Sequence, residues 1–316
     1  MESLLTVKKL LGLYRVKAAS NLSQNFILSS SMTDKIASFL GDDITKNLVI
    51  EIGCGPGNLT RSILRKSPHR LYGIEKDPRF DPILQQLASC SDGKFKIFMR
   101  NALLDDPYWD IASDWQSQRA LGATADLDFI GMKVQLIGNL PFNVATPMHL
   151  KWMREISKCS SWLWDSRLHD VEMILMFQKE VARRIVAEPG MDSYGRLAVI
   201  SQAFCNVSYL GTVPSKWFVP RPEVDSGIVK FSPKPNLPNQ SPLSIEHLES
   251  LTNILMHHPN KLISNNLKIK FPSQFPQFAP QIPKAHLDTI PRDIPLSAIL
   301  QIGTVLLQAN LLEAKK

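Results

Sequence analysis

The sequence predicts an α/β fold, a doubly wound and mostly parallel sheet followed by a small all-helical domain. Three observations predict it. From residue 48 onward, short apolar runs alternate with segments of helical spacing. The first of these runs ends in three closely spaced glycines and the second in acids. Near residue 232 the composition turns to Pro, Ser and Asn, and only helical patterns follow. Strands of a parallel sheet are buried on both faces, so they read as continuous apolar runs.

Taken in order, "LVIEIG" (48–53) is the first strand and "LTRSILRK" (59–66) the helix after it. "RLYGIEKD" (70–77) is a second strand and "PILQQLASC" (82–90) a second helix. "KFKIFMRNALL" (94–104) gives a third strand, and "VQLIGNLPF" (134–142) a fourth, leading into the helix "TPMHLKWMREI" (146–156). "EMILMFQKEVARRIVA" (172–187) begins as a strand and becomes a helix, and "RLAVISQAFCNVSYLGTV" (196–213) does the reverse. "SGIVKFSP" (226–233) is a last short strand. The segment from Asp105 to Met132 holds Trp109 and Trp115 among many polar residues and reads as a long surface loop. "SPKPNLPNQSP" (232–242) is a linker, and the short helices beyond it flank the proline-rich "FPSQFPQFAPQIP" (271–283). The expected organisation is a basic amphipathic segment over 1–20, a main domain over 21–232, and a linker with a small helical domain over 233–316.

Bulk composition bounds the function. No apolar run approaches the roughly 18 residues of a spanning helix, so no membrane partner is expected. The net charge of +7 points to a polyanion. Four widely spaced cysteines and seven histidines show no metal spacing, so no metal is expected. Few cysteines in 316 residues suit a reducing compartment. The first 40 residues carry Glu2 and Asp34 against Lys8, Lys9, Arg15, Lys17 and Lys35, with leucines at roughly helical spacing. An acid-poor amphipathic start has the character of an organelle transit peptide, and equally of a first helix with a basic face.

The chemistry is concentrated at the ends of the strands, where ligands of such sheets bind. "EIGCGPGNLT" places Gly53, Gly55 and Gly57 between a strand and a helix, where a backbone must turn sharply and let a ligand approach. Glu75 stands twenty residues after Gly55, at the end of the next strand, the position of a carboxylate that holds a ribose diol. The spacing E-x-G-x-G-x-G, with Glu51 first, suits an S-adenosylmethionine loop better than a dinucleotide loop; a purely structural turn is the third reading. "IGNLPF" (137–142) ends a buried strand on an amide, a proline and an aromatic, and Phe is not a turn residue.

Seven segments then carry a resemblance. "LSQNFI" (22–27), "EIGCGPGNLTRSIL" (51–64), "GIEKDPRF" (73–80), "IGNLPFNVATP" (137–147), "MFQKEVARRI" (176–185), "RLAVISQ" (196–202) and "FVPRPEVDSGIVKF" (218–231) are collinear. They resemble the ribosomal RNA adenine N6,N6-dimethyltransferases, over about residues 10–232. "LSQNF" and "FQKEVA" look most like the mitochondrial branch, the transcription-factor-B-like dimethyladenosine transferases. The resemblance implies a Rossmann-like class I methyltransferase sheet with a seventh, antiparallel strand. It implies an enzyme of the mitochondrial matrix that takes S-adenosylmethionine and dimethylates two adjacent adenosines near the 3′ end of small-subunit rRNA during ribosome assembly. A monomer is the default expectation.

The resemblance also assigns residues. Gln24, Asn25 and Phe26 would close over the methionine end of the cofactor, beside Glu51 and the three loop glycines. Glu75 would hold the ribose, Lys76 would border the adenine, and Asn101 would sit at its amino group. Asn139, Leu140, Pro141 and Phe142 would hold the target base. Apart from the resemblance, a flipped base needs an aromatic on its other face, and Phe218 in "WFVPRP" is the candidate; the alternative for Phe218 is core packing at a strand end. Charge, and not the resemblance, offers Lys179, Arg183 and Arg184 on the "FQKEVARRI" helix, with Lys216 and Arg221 near the target loop, as phosphate contacts; a solvated helix face is the other reading of each. Two departures stand out. Asn101 replaces the Asp usual in the family, keeping a carbonyl acceptor without its charge. "NILMHHPNKLISNNLK" (253–268) replaces an Arg-rich helix. The competing functions are a non-catalytic nucleic-acid-binding factor serving mitochondrial transcription or subunit assembly, and an amino-methyltransferase with another substrate.

Overall fold

A computed structural model describes residues 6–13, 24–120, 132–158, 162–164, 169–235 and 242–312. The chain divides into two compact units. One comprises Met1–Lys151, Ser161–Ala182 and Tyr209–Ser232, and the other Trp152–Ser160, Arg183–Ser208 and Pro233–Lys316.

The strands are β1 (Phe26–Ile27), β2 (Leu48–Ile52), β3 (Arg70–Glu75), β4 (Phe95–Met99), β5 (Met132–Gly138), β6 (His169–Gln178), β7 (Cys205–Val213), β8 (Phe218–Val219) and β9 (Ser226–Pro233). Seven of them form one sheet in the order β4-β3-β2-β5-β6-β9-β7. Strands β4, β3, β2, β5 and β6 pair in parallel, and β9 pairs antiparallel to β6. This is the doubly wound, mostly parallel sheet that the alternation predicts, with the antiparallel strand of the Rossmann-like class I methyltransferase fold that the resemblance implies. All five residues of β2 are buried, as a central parallel strand requires.

Two helices precede the large sheet, α1 (Val7–Leu13) and α2 (Ser30–Ser38), and helices join its strands: α3 (Asn58–Arg65), α4 (Asp81–Ser89), α5 (Pro107–Ala120), α6 (Phe142–Lys158), α7 (Lys179–Ile185) and α8 (Arg196–Phe204). The predicted surface loop over 105–132 is corrected in its first half, which is α5. Tyr108, Ile111, Ala112 and Trp115 are buried on one face at helical spacing, while Trp109 is 60% exposed. Asp114 on this helix accepts from Tyr72 Oη at 2.7 Å and pairs with Arg70 at 3.2 Å, which ties α5 to β3. Residues 121–131 lie outside the described residues. The one polar side chain on the buried face of β5, Gln135, is fully satisfied: it accepts from Asn47 at 2.8 Å and donates to Leu40 O and Glu172 at 2.8 and 3.1 Å.

In the other unit, α9 (Ile245–Leu255), α10 (Ile263–Lys270), α11 (Phe275–Phe278), α12 (Lys284–Leu287) and α13 (Leu296–Gln308) are all helical, as the composition predicts. Ser244 and His247 form a reciprocal cap at the start of α9. Gly303 lets α13 lie close, since a Cβ there would stand 2.6 Å from Leu243 Cδ1. No helix among the described residues is long and apolar enough to cross a membrane. Cys159, the ends of the N-terminal amphipathic segment (1–5 and 14–20) and residues 21–23 lie outside the described residues.

Candidate functional site

One pocket opens at the carboxyl ends of β2, β3, β4 and β5. Its floor is the loop between β2 and α3. Gly53, Gly55 and Gly57 have φ of +77°, +51° and +82°, the left-handed region that penalises a side chain. A Cβ at Gly53 would sit 3.6 Å from Leu140 Cδ2, and one at Gly55 3.5 Å from the Phe26 ring. Gly57 faces away: its Cβ would meet Leu84 and Leu87, so it caps α3 and packs that turn on α4.

Two buried acids, Glu51 and Glu75, line the pocket. Glu75 is 5% exposed, and its oxygens accept from Gly55 N–H and Asp77 N–H, each at 2.8 Å. Burial holds its pKa above the usual range, opposed by those two backbone donors. The bonds fix the carboxylate plane and leave each oxygen a second lone pair. Burial pushes the Glu51 carboxyl to about 8, with the nearby Glu75 adding in the same direction. Glu51 Oε2 has no hydrogen-bond partner.

The N-terminal arm closes one side. β1 pairs with β8 in a two-stranded ribbon, placing Ile27 opposite Phe218 and Phe26 opposite Val219. Asn58 Nδ2 donates to Ile27 O at 2.7 Å. Gln24 Nε2 donates to Asp77 at 2.9 Å, Arg79 donates to Gln24 Oε1 at 3.2 Å, and Arg79 also pairs with Asp77 at 2.5 Å. Phe26 meets Phe80 edge to face at 5.5 Å. This clasp between the arm and the turn after β3 was not legible in the sequence. Asp77 and Arg79 sit in the noted "GIEKDPRF" stretch, but nothing in their spacing pairs them with Gln24.

The Asn-Leu-Pro-Phe stretch forms the opposite wall. Asn139 Nδ2 donates to the backbone carbonyl of Asn25 at 3.1 Å. The amide is thereby oriented, and Oδ1 is the end left over as an acceptor. Val144 and Ala145 N–H close on Pro141 O at 2.9 and 3.0 Å, so the helix α6 begins immediately. Phe142 is its first residue rather than the end of the strand predicted over 134–142. Phe142 is half-buried and Phe218 is 2% exposed, and both line the pocket.

Of the residues singled out in the sequence, Gln24, Asn25, Phe26, Glu51, Gly53, Gly55, Glu75, Lys76, Asn101, Asn139, Leu140, Pro141, Phe142 and Phe218 line this one pocket. The five candidate phosphate contacts do not. Lys179 pairs with Asp225 at 3.5 Å, Asp225 accepts from Ser215 N–H at 3.0 Å, and Arg221 donates to Ser215 Oγ at 3.1 Å, making one knot around the β8–β9 turn. Lys216 lies over the Trp217 ring at 5.6 Å. Arg183 and Arg184 are exposed in the last turn of α7. Among the described residues, no group of three or more His, Cys, Asp or Glu is placed to hold a metal.

Comparison with known proteins decides the family. The ribosomal RNA adenine dimethylase pattern matches residues 15–292, most of the chain.

The chain belongs to the ribosomal RNA adenine dimethylase family.

Relatives agree with this. Dimethyladenosine transferase 1, mitochondrial, of Pongo abelii is 36% identical over 84% of this chain and 74% of its own length. The Homo sapiens protein of the same name is 35% identical over 84% of this chain and 73% of its own length. That of Drosophila melanogaster is 38% identical over 76% and 68%. In fold, the chain is similar to a dimethyladenosine transferase from Plasmodium falciparum, with a TM-score of 0.61 at 20% identity over 89% of this chain and 96% of the other. It is similar also to the 23S rRNA methyltransferase ErmE, with a TM-score of 0.57 at 16% identity over 89% and 99%. As a ribosomal RNA adenine dimethylase, the protein is an enzyme whose substrate is rRNA and whose cofactor is S-adenosylmethionine.

Proposed function

We propose that this dimethylase places two methyl groups on each of two adjacent adenosines in a hairpin loop near the 3′ end of mitochondrial small-subunit rRNA. The observation that carries the proposal is the Asn139–Asn25 hydrogen bond. It leaves Asn139 Oδ1 as a fixed acceptor in the same pocket as the glycine loop and Glu75.

An adenine amine is a poor nucleophile, because its lone pair is delocalised into the ring. Asn139 Oδ1 and the Leu140 carbonyl would accept the two amine hydrogens and draw the lone pair out of conjugation. Pro141, with φ held near −65°, aims the Leu140 carbonyl, and Phe142 and Phe218 stack on the base. The base must leave its own stack to enter. The amine proton passes to solvent, so positioning does most of the work and no histidine is required. His149, the buried histidine nearest this wall in sequence, is core: it packs on Phe231 at 4.9 Å, and burial alone drives its pKa down to about 3.

The pocket suits S-adenosylmethionine by its chemistry. Glu75 has lone pairs for a ribose diol, Glu51 has an unpartnered oxygen, and the positive-φ glycines leave room for a close approach. When bound, the cofactor supplies an already activated sulfonium methyl. Gln24, Asn25 and Phe26 would cover its methionine end, and Lys76 and Asn101 would flank its base. Lys179, Arg183, Arg184, Lys216 and Arg221 would meet RNA phosphates. In the helical unit Arg154 and Arg196 are paired with Glu249, at 3.1 and 2.8 Å, which leaves that unit little free positive charge from them.

The mitochondrial names of the relatives and the acid-poor start support a location of the enzyme in the mitochondrial matrix. Its substrate there is rRNA within the assembling subunit, and it acts as a monomer. Incubation with labelled S-adenosylmethionine and a hairpin carrying two adjacent loop adenosines should give dimethyladenosine by mass spectrometry. Methyl transfer to a hairpin whose loop adenosines are replaced by guanosine, at the same rate, would overturn the assignment.

A further inference from the structure

Asn101 follows β4 at the rim of the pocket, and its side chain is already committed in one direction. Its Oδ1 accepts from the backbone N–H of Leu103 at 3.1 Å. Its own N–H donates to Asp105 Oδ2 at 2.8 Å, and its carbonyl accepts from Leu104 and Asp105 N–H at 3.0 and 2.8 Å. A backbone N–H can be satisfied only by an acceptor, so the turn itself determines which end of the planar amide is oxygen. The other end, Nδ2, is a donor with no partner among the described residues, in a residue that lines the pocket. The carbonyl acceptor that the sequence suggests for this position is therefore held on the chain by Leu103 N–H, and the end of the amide without a partner is the donor.

We propose that Asn101 meets the purine of the cofactor as a hydrogen-bond donor, and that the enzyme consequently discriminates weakly between a 6-amino and a 6-oxo purine there. This rests on the proposed placement of the base between Lys76 and Asn101. Adenine offers a donor at its exocyclic amine and an acceptor at N1. Hypoxanthine offers an acceptor at O6. An amide N–H pairs with adenine N1 or hypoxanthine O6, and is mismatched against the adenine amine. A carboxylate at the same position would use one oxygen on Leu103 N–H and turn the other to the adenine amine, while repelling O6.

Calorimetric titration of S-adenosylhomocysteine and S-inosylhomocysteine tests this, with wild type, Asn101→Asp and Asn101→Ala. Wild type should bind the two within about tenfold of each other. Asn101→Asp should raise the preference for the adenine form by about tenfold to hundredfold, the worth of one charge-assisted bond. Asn101→Ala should weaken the inosine form more than the adenine form, which keeps the test open should the Asp variant fold poorly. An unchanged preference in Asn101→Asp, or a selective loss of the adenine form in Asn101→Ala, would overturn the inference alone. Failure of wild type to bind S-adenosylhomocysteine at all would overturn the cofactor placement and the inference with it.

Discussion

Gly138 is the residue on which the Asn-Leu-Pro-Phe wall is hung, and Gly138→Ala perturbs it from behind. Gly138 ends β5 and pairs with Leu175 on β6. A Cβ there would stand 2.7 Å from the backbone oxygen of Ile52 and 3.5 Å from its Cβ. The obstacle is main chain of β2, held by β3 on one side and β5 on the other, so it cannot step aside as a flexible side chain would. The two strands must part by several tenths of an ångström. Overpacking of this kind costs about 1–3 kcal/mol, which lowers the melting temperature by about 2–5 °C in a chain of this size. Asn139 is the next residue. A 1 Å error in a positioning group costs about a hundredfold in rate, so a fraction of that displacement should cost roughly tenfold. Thermal melting and methyl transfer to the hairpin measure the two effects. Gly211→Ala is the control: it lies in β7, and the added Cβ would meet only Phe39 Cζ at an ordinary 3.8 Å, so it should stay within about 0.5 kcal/mol of wild type. A Gly138→Ala protein that melts within about 1 °C of wild type and methylates at the same rate would refute the packing argument.

Glu75→Gln replaces an acceptor by a donor facing one of two backbone N–H groups, Gly55 or Asp77, and should weaken S-adenosylhomocysteine binding by about tenfold or more; calorimetry reads it, and equal affinity would contradict the assigned role. Glu51 binds its proton more tightly folded, with a pKa of about 8 against an ordinary 4.5, so the folded state holds more protons between those values. Its contribution to stability is present below pH 4.5 and is lost as pH rises through about 8. The melting temperature of the ligand-free enzyme should therefore fall over that range, and fall less in Glu51→Gln; parallel curves would count against it. Lys179→Ala and Lys216→Ala should each flatten the salt dependence of hairpin binding by about 0.7 in log–log slope, one phosphate apiece. An unchanged slope would remove that residue from the RNA surface.

The legible parts of the site were those whose physics is local. Glycines at 53 and 55 announce a backbone that only glycine tolerates, and the spacing to Glu75 follows from one strand–helix–strand unit. Asn139, Leu140, Pro141 and Phe142 are contiguous, so a single odd stretch delivers one wall of the pocket. What escaped was tertiary. The helix α5 hides its apolar face, Tyr108, Ile111 and Trp115, among aspartates and serines that dilute the pattern. The Gln24–Asp77–Arg79 clasp joins residues more than fifty positions apart. The partner of Asn101 Oδ1 is a backbone N–H two residues away, and only the turn geometry shows that the oxygen is used. The basic residues chosen for RNA were chosen by charge alone, and three of them, Lys179, Lys216 and Arg221, are engaged with neighbours around the β8–β9 turn.

The central claim is that Asn139 presents its oxygen to an adenine amine beside a bound methyl donor. The direct measurement compares wild type and Asn139→Ala for dimethyladenosine formation on the adjacent-adenosine hairpin, with S-adenosylhomocysteine affinity measured on the same preparations. The account predicts a loss of about a hundredfold to a thousandfold in rate, the cost of removing one fixed electrostatic partner of the reacting group, with cofactor affinity changed far less. Dimethyladenosine formed by Asn139→Ala at nearly the wild-type rate would contradict it.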